Sequence, residues 1–380
     1  MKPEFISAKK EGSFALLTVT KRLPHIIGQV MENNDLTAEQ LRELEKLKAE
    51  IPCESIKPLK DKNGYYEMWS DILQSHTKNW IEEPFFFVEF YLYRRIMEAV
   101  GHFSSGFDPF RYAKLDSLHG KIDEIIAIAN SLDKADRPFR ELLIYNLWGN
   151  RADLSQLHQP GGSLADNSGK NIIINDIDRA AALFDRGLDQ VDAILDNSGL
   201  ELAVDLIFIF HLLKEKAAKR VYLHAKSYPI FVSDAMPGDI MYTVEYFKSS
   251  GDGVLRSVGE GLASYIGEKT VIIDTDPFWV LPEPFENFNG RLLKHFGKSD
   301  LVIIKGDLNY RRLVEDRCWD FTTGIRDVAG YFPADLLIIR SLKSELMLGI
   351  TGETARRLFR EDPDWLVNGK FGMVQLLMKE

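Results

Sequence analysis

The sequence predicts an α/β protein in which a helical N-terminal domain precedes a three-layer αβα, Rossmann-like domain with a mostly parallel sheet. Up to about residue 150, apolar side chains recur mainly at helical spacing. After about residue 170, short apolar runs alternate with helix-length segments, the pattern of βαβ units. A polar run rich in turn formers, 158–169, lies between the two regions. We therefore predict a helical domain over 1–155, a loop or linker over 156–170 and an α/β domain over 171–380.

The helical part is predicted from its apolar spacing and caps. Residues 15–32 form an apolar helix that Pro24 should kink or break. Residues 37–50 form a charged helix that Asp35 or Thr37 could cap. Further helices are predicted at 84–100, 110–131 and 136–148.

The strands of the second part are predicted from short apolar runs that end in polar residues. They lie at 171–175, 191–195, 220–224, 270–273, 301–304 and 336–339. Parallel crossovers are right-handed in about 98% of cases, so the carboxyl ends of such strands gather along one edge of the sheet. Ligands bind at that edge in open α/β folds.

Composition limits the classes of function. The chain has 380 residues, 45% hydrophobic and 27% charged, which is globular and not disordered. A formal net charge of −10 disfavours nucleic acid and membrane surfaces as partners but permits a small anion held by local cations. Cys53 and Cys318 lie far apart and outside any zinc-type pattern, so reduced thiols and a cytoplasmic protein are expected. The oligomeric state stays open.

Polar side chains follow four of the apolar runs. Asp196 and Asn197 follow 191–195, and Asp234 ends the run 228–234. Carboxylate and amide oxygens suit Mg²⁺ or Mn²⁺ and not a soft metal. If these runs end at one edge of the sheet, they form a divalent-metal site there.

Cations occur at the same kind of position. Lys305 and Arg311 follow 301–304, and Lys343 follows 336–339. They could balance the charge of a phosphoryl group while the metal polarises one of its oxygens and a bound water. Each residue also has a purely structural alternative, since Asp and Asn before a helix are usually N-caps and the cations could lie on a solvated helix face. The histidines form no HxH or HxxEH pattern, and structural roles are expected for them.

Several motifs together resemble one family. They are LWGNRADLS at 147–155, VDAILDNSGLEL at 191–202, YPIFVSD at 228–234, IKGDLNYRRL at 304–313, RSLK at 340–343 and EFYLYRR at 89–95. In this order they resemble the damage-control metal-dependent phosphatases, in the branch of sugar-phosphate phosphatases also described as acidic-residue (protein-glutamate) methyltransferases. The likeness covers most of the chain.

The resemblance implies a set of site residues. It makes Asp196, Asn197 and Asp234 the ligands of a divalent metal, Mn²⁺ or Mg²⁺ with Co²⁺ or Ni²⁺ as further possibilities. In the mechanism that we expect, Asp196 and Asp234 are catalytic through the metal, and Lys305 or Lys343 stabilises the transition state. The substrate-binding residues that the resemblance implies are Asp196, Asn197, Asp307, Leu308, Asn309, Tyr310, Arg311 and Lys343.

Two details bear on the branch. Ser341 stands where the family usually has threonine, and Glu201 falls where a methyl-donor contact would lie. The function implied is hydrolysis of small phosphorylated metabolites, sugar phosphates such as fructose 1-phosphate, in metabolite damage control. Residues 171–380 would then be the metal-binding catalytic domain.

Three alternatives remain open. The first is adenosylmethionine-dependent methyl transfer to protein glutamate carboxyl groups, which the single glycine in 196–199 supports poorly. The second is an aspartyl-phosphate phosphatase that uses Asp274 and Asp276, because a strand-like run precedes this Asp-x-Asp pair. The third is a non-catalytic adaptor in which the carboxylates are caps.

Overall fold

The structure is a computed structural model that describes residues 2–135, 138–149 and 171–379. The predicted linker at 156–170 lies outside these residues, and the two-domain division stays a prediction. The helices are Phe14–Leu17 (α1), a π-helical segment Thr18–Arg22, Leu23–Glu32 (α2), Ala38–Glu50 (α3), Tyr66–Leu73 (α4), Phe85–Ala99 (α5), His102–Ser105 (α6), Arg111–His119 (α7), Ile122–Asp133 (α8), Phe139–Trp148 (α9), Ile177–Phe184 (α10), Leu200–Lys214 (α11), Pro237–Lys248 (α12), Gly253–Gly267 (α13), Gly290–Phe296 (α14), Gly306–Leu313 (α15), Ile325–Ala329 (α16) and Gly352–Glu361 (α17).

The first helical segment differs from its prediction in one respect. The helical path continues past Pro24, which lies in the first turn of α2, where its missing N–H is no loss. The irregularity comes just before it, as the π-helical turn Thr18–Arg22. Thr37, one of the two predicted candidates for the cap, caps α3 in a capping box with Gln40. The predicted helix 110–131 is two helices, α7 and α8, that break at Gly120.

The sheet has seven strands in the order β1-β7-β6-β5-β2-β3-β4. They are Ile172–Asn175 (β1), Leu188–Ile194 (β2), Ala218–Ala225 (β3), Val271–Thr275 (β4), Leu301–Lys305 (β5), Asp335–Ser341 (β6) and Gly372–Leu377 (β7). The five strands from β6 to β4 are parallel, and β7 pairs antiparallel with β6. The predicted mostly parallel sheet is confirmed; β7 was not predicted.

The chain changes direction across the sheet between β2 and β5. From β2 it proceeds through β3 to β4, and then returns to β5 on the other side of β2. Such a reversal opens a crevice at the carboxyl ends of the two strands, which is where open α/β folds bind ligands. Asp196 follows one of these strands and Gly306 the other.

Each face of the sheet covers its own apolar core. Ile194 of β2 and Ile304 of β5 pack on one face, with Phe90 of α5 and Trp279. Residues of opposite parity along the same strands, such as Val191 of β2 and Ile303 of β5, pack on the other face with α9 and α11. Both cores contain residues from the N-terminal helices and from the sheet. In the described part of the chain, no helix is both long and apolar enough to cross a membrane.

Candidate functional site

The loop after β3 brings Asp234 to the end of β2. Asn197 and Asp234 form an antiparallel bridge. The Ala235 N–H donates to Asp196 O over 2.8 Å, and the Ser198 N–H donates to Ser233 O over 2.6 Å. The run 228–234, which the sequence analysis treats as a strand that ends in Asp234, is a turn and not a strand. Asp234 therefore reaches the site through a reversal of the chain.

That reversal depends on strained backbone. Phe231 and Val232 both have positive φ, 50° and 66°. A β-branched residue rarely adopts this conformation, and such strain costs about 1–3 kcal/mol per residue and concentrates at functional sites. The ring of Phe231 packs 4.8 Å from that of Phe90 and 4.9 Å from that of Tyr93 on α5. The aromatic helix α5 thus supports the loop that carries Asp234.

The turn after β5 passes directly over Asp196. Gly306 has φ +78°, and a Cβ built there would lie 1.9 Å from Asp196 Oδ2. No other residue fits this position, since a side chain would displace the carboxylate. The close approach places the start of α15, with Asp307 and Leu308, beside the end of β2.

These segments enclose a cavity of about 450 Å³. One wall contains predicted site residues, namely Asp196, Asn197, Asp234, Asp307, Leu308, Arg311 and Lys343. A second wall comes largely from α1, the π-helical turn and α2, and includes Phe14, Arg22, His25, Ile26 and Gln29. The sequence reasoning did not identify this second wall, because nothing in the spacing of these residues indicates where the helix packs.

The acidic side of the cavity has an excess of negative charge. Burial, followed by the nearby carboxylates of Glu201 and Asp234, raises the pKa of Asp196 well above its usual range. Burial also raises the pKa of Asp234, against the attraction of Lys226. Asp234 Oδ2 lies 3.2 Å from Lys226 Nζ and has no further hydrogen-bond partner in the described part of the chain. A divalent cation would relieve this charge, and the oxygen donors fit Mg²⁺ or Mn²⁺.

The Asn197 side chain connects the acidic groups. Its Nδ2 donates to Asp196 Oδ2 over 2.8 Å and to Glu201 Oε2 over 3.0 Å. Its Oδ1 accepts a hydrogen bond from the Ser233 hydroxyl. Asn197 thereby fixes the carboxylate of Asp196 relative to α11 and to the loop of Asp234.

The Arg340–Lys343 segment is held by Asp307. Arg340 Nε donates to Asp307 Oδ1 over 2.8 Å, and the Lys343 N–H donates to the same oxygen over 3.1 Å. The guanidinium of Arg340 is fully buried, 4.1 Å from the ring centroid of Tyr310. Arg340 and Asp307 thus fix the backbone from which the Lys343 side chain enters the cavity.

Lys305 does not line the cavity, contrary to the expectation that it faces the same gap as Lys343. Along β5 it shares the sheet face of Leu301 and Ile303, on the α11 side. Its Nζ donates to Asn146 O over 2.8 Å and lies 2.9 Å from Asp205 Oδ1.

Lys305 instead belongs to a buried charged network behind the site. Its Nζ lies 3.6 Å from Glu201 Oε1, and Glu201 accepts a hydrogen bond from Asn197. Burial raises the pKa of Asp205 to about 7, against the attraction of Lys305. The carboxylate of Glu201 is thus engaged by Lys305 and Asn197.

Three residues of the predicted substrate-binding stretch either lie outside the cavity lining or are already bonded to other protein groups. Asn309 Nδ2 donates to Leu195 O over 3.1 Å and to Lys305 O over 2.8 Å, which ties α15 to β2. Tyr310 is fully buried. Arg311 lines the cavity, but its guanidinium is bonded to Asp316 over 2.7 and 2.9 Å and to Glu89 over 2.6 Å. The helical period explains this, because α15 turns only part of its surface to the cavity.

The sequence reasoning also did not identify Lys226. This lysine is almost completely buried just beyond β3, and its Nζ donates to Leu195 O over 3.2 Å as well as facing Asp234. The only indication of Lys226 in the sequence is that a polar residue directly follows an apolar, strand-like run. The rival pair Asp274 and Asp276 lies outside the cavity lining, and Arg291 lies 3.0 and 2.7 Å from their carboxylates.

The fold and this cavity define a class: an α/β protein with acidic and basic side chains gathered at the switch point of a parallel sheet. The family model of the damage-control phosphatase ARMT1-like domain matches residues 18–358. The chain is 33% identical to damage-control phosphatase ARMT1 of Rattus norvegicus over 430 aligned positions, which cover 98% of each chain. It is 32% identical to the Xenopus laevis protein of that name over 438 positions, again 98% of each chain.

The chain therefore belongs to the ARMT1-like damage-control phosphatase family. A solved structure, a DUF89 family protein from Pyrococcus horikoshii, matches with a TM-score of 0.51 over 96% of this chain and 97% of that chain. At 17% identity, this match supports the fold alone.

Proposed function

We propose that the protein hydrolyses small phosphorylated metabolites, sugar phosphates such as fructose 1-phosphate, with a divalent metal held by Asp196, Asn197 and Asp234. The observation that carries the proposal is the pair of buried carboxylates with raised pKa at the switch point, facing a cavity that Lys343 also enters. A bound Mg²⁺ or Mn²⁺ supplies charge neutralisation, polarisation of a phosphoryl oxygen and activation of water.

The side chains of this protein bind and orient the substrate. Lys343 is placed by the hydrogen bond of its N–H to Asp307, and its ammonium group is available to a phosphoryl oxygen in the cavity. Lys226 lies on the other side of Asp234 and limits the net charge of the acidic cluster. A contact such as that of Lys343, made to charge that develops in the transition state, is worth about 3–4 kcal/mol.

The second wall is suited to the sugar. Arg22, His25 and Gln29 lie three and four residues apart, on one face of the N-terminal helical segment, and all three line the cavity. Their donors and acceptors line the same cavity as the catalytic residues, and its volume of about 450 Å³ is within the usual range for a small-molecule site. Phosphate would bind beside Lys343 and hydroxyl groups beside Arg22, His25 and Gln29.

The test is a panel of sugar phosphates and one aryl phosphate, each assayed with Mg²⁺, Mn²⁺, Co²⁺ and Ni²⁺ and with a chelator. We expect metal-dependent release of phosphate, with a sugar phosphate preferred. Lys343→Met should lower kcat/KM by about two orders of magnitude. The matched control Lys134→Met, at an exposed lysine outside the cavity, should change nothing.

Turnover that survives chelation would contradict the metal-dependent mechanism. A parallel assay with labelled adenosylmethionine and protein glutamate acceptors tests methyl transfer. Methylation without phosphate release would favour that activity over hydrolysis.

A further inference from the structure

A second cluster of possible metal ligands lies on one face of the sheet, between β2, β3 and α14, away from the cavity. Asp192 of β2 is fully buried, and its Oδ1 lies 2.7 Å from His224 Nε2 and 2.6 Å from His295 Nε2. The three ligand atoms lie within 4.8 Å of one another. They come from three separate elements, β2, β3 and α14, so no short motif in the sequence indicates them.

The carboxylate of Asp192 is held in place by its other oxygen. Asp192 Oδ2 accepts hydrogen bonds from the Ser299 hydroxyl over 2.6 Å and from Gln190 Nε2 over 2.9 Å. Gln190 Nε2 also contacts Ser299 Oγ at 3.1 Å. Asp192 Oδ1 is thereby directed at the two imidazoles.

The ring of His224 lies between two carboxylates. His224 is 1% exposed, and carboxylates face both of its nitrogens. Nε2 faces Asp192, while Nδ1 has no hydrogen-bond partner in the described chain and lies 3.6 Å from Asp274 Oδ2. A neutral imidazole has one N–H and one lone pair, so one lone pair would point at a carboxylate oxygen.

A metal ion at Nε2 resolves this conflict. The lone pair of Nε2 would then point at a cation, and Nδ1–H would point at Asp274. A carboxylate behind the ligating histidine is the usual outer partner in such sites. Asp274 is held for this role by Arg291, whose Nη1 donates to its two oxygens over 3.2 and 3.0 Å.

We propose that Asp192, His224 and His295 bind a divalent transition-metal ion of the zinc class, separate from the ion of the catalytic cavity. Two imidazole nitrogens and one carboxylate oxygen suit Zn²⁺, whereas the oxygen donors at Asp196 suit Mg²⁺ or Mn²⁺. His295 is 19% exposed, so water can complete the coordination from that side. Binding requires the N···O separations to widen to about 3.3 Å, the ligand spacing of a tetrahedral site.

The position of this ion indicates its role. Asp192 lies four residues before Asp196 on one strand, and His224 lies two residues before Lys226 on the next. The ion would tie β2, β3 and α14 together beneath the catalytic edge. We expect it to stabilise the fold without taking part in turnover.

The competing explanation is a cluster held by hydrogen bonds alone, in which the Nε2–H groups of His224 and His295 both donate to Asp192. It requires no metal, so a direct metal measurement distinguishes the two. The chelated full-length protein is titrated with Co²⁺, because four-coordinate Co²⁺ gives a much stronger visible absorption than six-coordinate Co²⁺ in an oxygen site. The same titration is followed by calorimetry with Zn²⁺.

Wild type and Asp196→Asn should both show the strong band, with one equivalent of Co²⁺ giving rise to it. His295→Gln should lose the band, and His119→Gln, a matched change at an exposed histidine, should keep it. His295→Cys retains a ligand and should restore binding, with the additional charge-transfer absorption of a thiolate. Phosphatase activity of His295→Gln with Mn²⁺ should stay within about twofold of wild type.

Absence of the band in wild type, or an equal band in wild type and His295→Gln, overturns the proposal. Loss of the band in Asp196→Asn would instead assign the ion to the catalytic cavity. Because the band is measured apart from turnover, failure here leaves the proposed phosphatase activity standing.

Discussion

Asp192 and Asp196 lie four residues apart on one segment and are almost equally buried, at 0% and 5% exposure, yet their pKa values shift in opposite directions. Although burial opposes it, hydrogen bonding to His224 and His295 lowers the pKa of Asp192. Burial and the charges of Glu201 and Asp234 raise the pKa of Asp196. Burial alone therefore does not decide how a carboxylate behaves.

The difference follows from position along β2. Asp192 lies within the strand and faces the layer of α14, where side-chain donors surround it. Asp196 lies beyond the strand, where Gly306 and the reversed loop of Asp234 bring backbone and acidic groups close. A buried carboxylate with too few donors is costly unless a ligand supplies the missing positive charge, which marks the strand end as the reactive site.

The largest expected effect comes from removing the unbalanced charge. Asp196→Asn keeps the size of the side chain but removes the anionic ligand, so we expect kcat to fall by at least about 10³-fold, roughly 4 kcal/mol of barrier. Thermal unfolding in chelator should show equal or higher stability than wild type, because a buried excess charge is gone. Activity near the wild-type level, or a stability loss that accounts for the inactivity, would contradict the assignment of Asp196 as the reactive carboxylate.

The second prediction uses the pH dependence of the metal-free protein. Asp196 binds its proton more tightly in the folded state, so its contribution to stability is present below the unfolded pKa of about 3.9 and is lost as pH rises through the folded pKa. The contribution of Asp192 to stability depends on pH in the opposite direction, because it is lost only as pH falls through its lowered pKa. The free energy of unfolding in chelator should therefore decrease as pH rises above about 4.

Metal should reverse this loss. Mn²⁺ at 100 times its dissociation constant should add about 2.7 kcal/mol at pH 8. Asp196→Asn serves as the control, and both its pH slope and its stabilisation by Mn²⁺ should be smaller. Chemical denaturation at each pH measures the effect, and identical slopes in wild type and variant would exclude Asp196 as its source.

The sequence was sufficient for features that reside in one segment. Apolar runs predicted six strands, and the polar residues after them, Asp196 and Lys343, do line the cavity. The alternation of side chains along β5 predicts which face of the sheet Lys305 lies on, because it has the same parity as Leu301 and Ile303. The position of Lys305 at the end of a strand does not by itself predict this face, because a lysine at the edge of the sheet can turn to either layer.

Other features could not be obtained from the sequence because they depend on contacts between distant segments. The reversal that carries Asp234 requires left-handed backbone at Val232, which no local preference of valine predicts. The cluster around Asp192 joins His224 and His295 from different elements, so no spacing reveals it. The wall formed by Arg22 depends on the packing of the first helices over the strand ends.

The smallest expected effect tests that wall. Arg22 lines the cavity at the end of the π-helical turn, and such turns recur at functional sites. Arg22→Leu should raise KM for a sugar phosphate about tenfold, near 1.4 kcal/mol, and leave kcat almost unchanged, because the contact is made equally in the ground and transition states. Lys21→Leu removes an exposed charge of the same sign one residue earlier, outside the cavity lining, and should leave both constants unchanged. An equal rise in KM for the two variants would indicate only long-range attraction of the anion, whereas a fall in kcat for Arg22→Leu alone would move Arg22 from the binding wall to the catalytic group.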